Sequence, residues 1–124
     1  MKRIALIILM ALAVNSAFAE LDSHKVVNAV VGEAAGESYK CKIAICAVIR
    51  TRGNLKGVYG GTAKHIKSEP DWVFVQTWNA WYESDKHDPT GGCKYWGGPM
   101  DKAYFEGKLH KKPVMTIDHT TFYR

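Results

Sequence analysis

Glu33 and Glu37 stand four residues apart in the stretch VVGEAAGES, where one apolar pattern ends and another begins. Their surroundings differ, and so does the chemistry each can do. Glu33 closes a run in which Val26, Val27, Val30 and Val31 recur at helical spacing. A carboxylic acid packed against apolar surface resists ionisation, so its pKa climbs toward the range where it donates a proton near neutral pH. A general acid of that kind is what cleavage of a glycosidic bond requires at the bridging oxygen. Glu37 comes just before a helix start, where the dipole favours the ionised form, and reads as a cap or orienting group.

Two other chemistries are weaker. His24, His65, His87, His110 and His119 are scattered, and neither an H-x-x-x-H nor a C-x-x-C spacing occurs. No metal or other cofactor is therefore expected. A Cys–His hydrolase needs a thiolate at an electropositive helix start with a histidine folded against it. Cys41 and His119 are the candidates, although Cys41 falls past the first helical residue and two more cysteines accompany it.

The elements that must carry these groups are readable from period and punctuation. Asp22 or Ser23 can cap the first helix, and Gly36 ends or bends it. Ser38 can cap a second, bearing Ile43, Ala44, Ala47 and Val48, with Arg50 and Arg52 in its last turn and Gly53 as its stop. Residues 53–71 read mostly as loop, with a short helical turn near 63–66. Asp71 is placed to cap a third helix presenting Phe74, Trp78, Trp81 and Asp85 on one face, with Trp72 and Tyr82 alongside. Such an aromatic stripe is first of all a packing surface. Pro89, two Gly pairs and Pro99 then mark an irregular loop flanking an extended piece at 93–96. Asp101 can cap a last turn, and the β-branched, aromatic tail is expected as a strand pairing with 94–96. The fold class is α+β, a helical core with a short β-ribbon at one edge.

The chain opens with Lys2 and Arg3, an apolar run at 4–14 and the small-x-small site Ala17-Phe18-Ala19. Residues 1–19 read as a secretory signal peptide, too short in its apolar run to be a stable membrane anchor. One domain, 20–124, is left for a periplasmic or extracellular location. Lys2 and Arg3 account for two of the 17 basic residues, so 15 face 12 acids and the mature charge is +3. That suits an anionic polymer but is no nucleic-acid footprint. Cys41, Cys46 and Cys93 all fall in the exported part, where disulfides persist. Cys41 and Cys46 point about 140° apart on a helix. A bridge is therefore expected from one of them to Cys93, the pair left open.

Against this background, VVGEAAGESYKCKIAICAVIRTR resembles the G-E-A-x-G-E-x-Y…A-x-x-A-V-x-x-x-R signature of SleB-type cell-wall hydrolases, which include spore-cortex-lytic enzymes. DPTGGCKYW is similar to that family's D-P-T-x-G-A-x-Y-F segment, and IDHTTFY to its closing G-N-H-x-F-Y. The resemblance implies a lysozyme-like core that cuts peptidoglycan glycan strands between N-acetylmuramic acid and N-acetylglucosamine, as a lytic transglycosylase or muramidase. The family's catalytic acid falls on Glu33. Asp88, Thr90, Gly91 and Tyr95 match the segment edging the groove, while His119 and Phe122 match the closing motif. Glu37 joins them as a substrate contact, and Tyr39, Trp72, Tyr95 and Trp96 are candidate sugar platforms. The small residues between the glutamates would leave room for a glycan strand.

Transglycosylation needs one carboxyl group where hydrolysis needs two. None of Asp71, Glu83, Asp85 and Asp88 carries the mark of a second. The chain departs from the pattern at Ala35, where an arginine is usual, at Cys41, Cys93 and Trp96, and in lacking the family's Q-F run. The added cysteines suggest a Cys41–Cys93 bridge. Peptidoglycan is the expected partner, with a targeting protein possible. The rival readings are a Cys–His peptidase or amidase of the peptide stems, and a non-catalytic wall-binding module.

Overall fold

The structure, a computed structural model, describes residues 21–124. The signal peptide expected at 1–19 and its cleavage site lie outside the described residues. Three α-helices form the body: α1 (Ser23–Ala34), α2 (Tyr39–Arg52) and α3 (Asp71–Glu83). Among the described residues no helix is long and apolar enough to cross a membrane.

α1 starts where Asp22 accepts the His24 N–H at 2.9 Å, and buries Val26, Val27, Val30 and Val31. α2 begins with Ser38 accepting the Cys41 N–H at 3.2 Å and stops at Gly53, whose φ of 73° only glycine adopts freely. Every residue from Cys41 to Ile49 is buried. α2 is thus the central helix, wrapped by α1, α3 and the sheet, which is why its polar and apolar residues do not segregate to two faces. The cost is a buried lysine: Lys42 is fully enclosed, and its ammonium donates to the Ala35 carbonyl at 3.0 Å and to Gln76 at 2.5 Å. α3 docks through Val73, Thr77, Ala80 and Trp81. The Arg50 guanidinium lies 3.6 Å above the Trp81 ring, and the indole N–H donates to Ser23 at 3.0 Å. Asp71 is not the cap of α3: Pro70 holds that position, and Asp71 supplies negative charge in the first turn.

The ribbon is a three-stranded antiparallel sheet of β1 (Tyr95–Gly97), β2 (Pro113–Ile117) and β3 (Thr120–Tyr123), in the order β1-β3-β2. The expected pairing of the tail with 94–96 is present, Trp96 lying opposite Phe122 and Tyr95 opposite Tyr123. The tail is a hairpin rather than one strand. Asp118 at φ 52° turns the chain, and Ile117 pairs with Thr120. All four residues of β3 are buried, as befits the middle strand. Between β1 and β2, a 3-10 turn at Pro99–Asp101 leads into a π-helical segment, Ala103–Lys108. Phe105 stacks on Tyr123 at 4.9 Å, and the Tyr123 hydroxyl donates to Glu106 at 3.0 Å, fastening this segment to the sheet. Asp101 accepts the Gly98 N–H at 2.9 Å from inside its turn.

The expected disulfide is absent: Cys41, Cys46 and Cys93 are buried free thiols. Cys41 lies beside Thr120 at the start of β3, whereas Lys94, next to Cys93, bonds Tyr123 at its end. Cys41 and Cys93 thus sit beside opposite ends of β3.

Candidate active site

Glu33 sits in the last turn of α1, and its position depends on a glycine contact. A β-carbon on Gly32 would lie 1.7 Å from the Gly60 carbonyl oxygen, and one on Gly60 would lie 2.3 Å from the Ala29 carbonyl oxygen. Helix and loop backbones therefore meet directly, glycine on glycine. His65 locks the arrangement, with Nε2 3.0 Å from the Gly32 carbonyl and Nδ1 2.8 Å from Glu69. Both ring nitrogens face acceptors, so the imidazolium is favoured and its pKa rises, the Glu69 hydrogen bond contributing most.

The docked loop brings the backbone N–H groups of Tyr59 and Gly60 to the Glu33 carboxyl. They favour the carboxylate, but burial outweighs them and, with the nearby Asp101 charge, holds the pKa above the usual carboxylate range. Glu33 is still open to solvent on one side, as a proton donor to an external substrate must be.

Two cavities share Glu33, Trp96 and Asp101 in their walls and form the arms of one groove. The larger, about 520 Å³, is lined by Arg52, Lys56, Tyr59, Tyr95, Tyr104 and Phe105 among others. The smaller, about 140 Å³, holds Glu37, Gly97, Gly98, His119 and Thr120. Gly97 is needed in the floor, because a β-carbon there would come 2.7 Å from that of Asp101. A protonatable carboxyl at the junction of two arms, flanked by aromatic rings and a second carboxylate, is equipped for acid catalysis on an extended polar chain.

The solved structures agree with this architecture. The catalytic domain of the germination-specific lytic transglycosylase SleB from Bacillus anthracis superposes with a TM-score of 0.59 at 22% identity, covering 82% of this chain and 93% of that one. The catalytic domain of the Bacillus cereus SleB protein gives 0.57 at 22% identity, covering 82% and 88%. This chain has the SleB catalytic-domain fold. Neither a protein-family model nor a curated protein matches it.

Of the residues singled out in the sequence, the groove gathers Glu33, Glu37, Tyr95, Trp96 and His119. Glu37 lies 3.7 Å from the His119 imidazole. Asp88, Thr90 and Gly91 line neither arm. Asp88 accepts from the Thr90 N–H and hydroxyl at 2.8 and 2.7 Å and from the Gly92 N–H at 2.9 Å, which ties the loop that launches β1. Gly91 serves that loop with φ 65°. Tyr39 and Trp72 also lie off the groove, Trp72 being 61% exposed with the Lys42 ammonium 5.9 Å from its ring, and Phe122 is fully buried core. Cys41 is an unsuitable nucleophile, because burial pushes its thiol to about 11. The small residues between the glutamates do not border the groove as a set: Ala34 is buried in the core, and the close approach is made at Gly32 by the chain itself.

Beyond the residues singled out in the sequence, Asp101, Tyr59, Tyr104 and Phe105 line the groove, whereas Asp71, Glu83, Asp85 and Asp88 line neither arm. The Gly-Gly-Pro run ahead of Asp101 was the available signal, since it forces the backbone turn that aims this carboxylate at the groove.

Proposed function

We propose that the protein cleaves peptidoglycan glycan strands between N-acetylmuramic acid and N-acetylglucosamine, as a lytic transglycosylase with Glu33 as its acid and base. The observation that carries this reading is the protonation-prone Glu33 carboxyl at the junction of a two-armed, aromatic-walled groove. The SleB fold supports it, Glu33 being the residue that matches the motif acid. Glu33 protonates the bridging oxygen as the glycosidic bond breaks. The carboxylate so formed then takes the proton of the muramic C6 hydroxyl, whose oxygen bonds the anomeric carbon and closes a 1,6-anhydro ring. Asp101 supplies negative charge near the developing oxocarbenium ion. Export through the 1–19 leader would bring the enzyme to its polymer.

Asp101 also favours a second reading. Two carboxyl groups in one groove are the equipment for hydrolysis, with water in place of the C6 hydroxyl. Mass spectrometry of digested peptidoglycan separates the two: anhydro-muropeptides for transglycosylation, reducing ends for hydrolysis. Release of stem peptides alone would overturn both.

A further inference from the structure

On the reading that the groove cleaves glycan, we propose that its larger arm is the subsite for a muramic acid still carrying its peptide stem, with Arg52 and Lys56 holding a stem carboxylate. The two arms differ in charge. Arg52 and Lys56 line only the larger one, whereas Glu37 lines only the smaller, and Glu33 and Asp101 are common to both. Among the described residues neither Arg52 nor Lys56 forms an ion pair. Arg52 closes α2, where a cation is favoured by the helix dipole, and its guanidinium donates to the Lys56 carbonyl. That bond ties the two cationic residues together on one loop. Tyr95 extends the positive surface, with the Arg52 guanidinium carbon 6.0 Å and the Lys111 ammonium 4.1 Å from its ring centre.

Unpaired cations along an aromatic-walled cavity call for an anion on an otherwise neutral ligand. The amino sugars of the strand are uncharged along their backbone. The carboxylates belong to the peptide joined to each muramic acid, next to the bond that Glu33 would cut. A guanidinium fork can bind such a carboxylate through two parallel hydrogen bonds, and the exposed lysine adds charge at the rim.

The test compares initial rates on glycan strands whose stems keep their free carboxylates and on the same strands after carbodiimide coupling with ammonia has turned those carboxylates into neutral amides. Wild-type protein is expected to cleave strands with free stem carboxylates about tenfold faster than amidated ones at limiting substrate, the scale of one hydrogen bond to a charged group. Arg52→Ala and Lys56→Glu should bring that ratio close to one, chiefly through KM, and Arg52→Lys should restore part of it. Lys56→Glu keeps the test sound if Arg52→Ala fails to fold, because the exposed Lys56 side chain makes no hydrogen bond among the described residues. Equal wild-type rates on the two substrates, or a ratio unmoved by both variants, would overturn the proposal. Failure of the underlying reading looks different: Glu33→Gln would then cleave both substrates as wild type does.

Discussion

Glu33 is held between opposing influences, and the balance can be shifted at one atom. Asp101→Asn keeps an oxygen for the Gly98 N–H but removes the charge that disfavours the Glu33 carboxylate. The Glu33 pKa should fall. Because the acid must be protonated to act, the alkaline limb of the pH–rate profile should move to lower pH, and an unmoved limb would remove Asp101 from the electrostatics of the site. The cysteines give a second residue-level outcome. With Cys41 pushed to about 11 and Cys46 to about 12, iodoacetamide near neutral pH should leave native protein active and label fully only after denaturation. Rapid labelling of Cys41 with loss of cleavage would revive the thiol mechanism. Glu33 was legible in the sequence because it closes the valine-rich helical run of α1 and stands in a short motif. Asp101 was not, because it reaches the groove from a Gly- and Pro-rich loop without periodicity.

At the scale of elements, the site exists because the 60–69 loop is pinned to the end of α1. Gly32→Ala forces a side chain into the backbone of Gly60, so it should destabilise the protein by about 3 kcal/mol, the upper part of the range for overpacking, measured by urea denaturation. Stability unchanged within error would mean that the helix and loop do not meet this closely. His65 adds a pH-dependent tie. Its folded pKa is raised above 6.5, so its contribution is complete below about pH 6.5 and is lost as pH rises through the higher folded value. Melting curves of wild type and His65→Ala should differ most at acid pH and converge at alkaline pH. The helices could be anticipated from caps and period: Asp22, Ser38 and Gly53 act where expected. The loop could be anticipated only as a loop, since docking Gly60 on Gly32 is a long-range contact that no local pattern encodes. The continuous β-branched tail likewise concealed its hairpin, whose turn is made by an Asp at positive φ rather than by a Gly or Pro.

Across the whole molecule, the end of α1, the 56–59 loop, strand β1 and the 98–109 loop line one groove, and Glu33 is common to both of its arms. The fold class was readable from the order of elements, and the SleB resemblance from three short motifs in order. What the motifs left open was the effect of Ala35. In the structure its carbonyl accepts the buried Lys42 ammonium, which places a cation at the C-terminal end of α1. The decisive measurement is digestion of purified peptidoglycan by wild type and Glu33→Gln, with products read by mass spectrometry and folding checked by circular dichroism. Wild type should release 1,6-anhydro-muropeptides, and a well-folded Glu33→Gln should lose at least about a hundredfold in rate, the scale of general acid catalysis. Cleavage by Glu33→Gln at the wild-type rate would contradict the assignment of Glu33 as the acid.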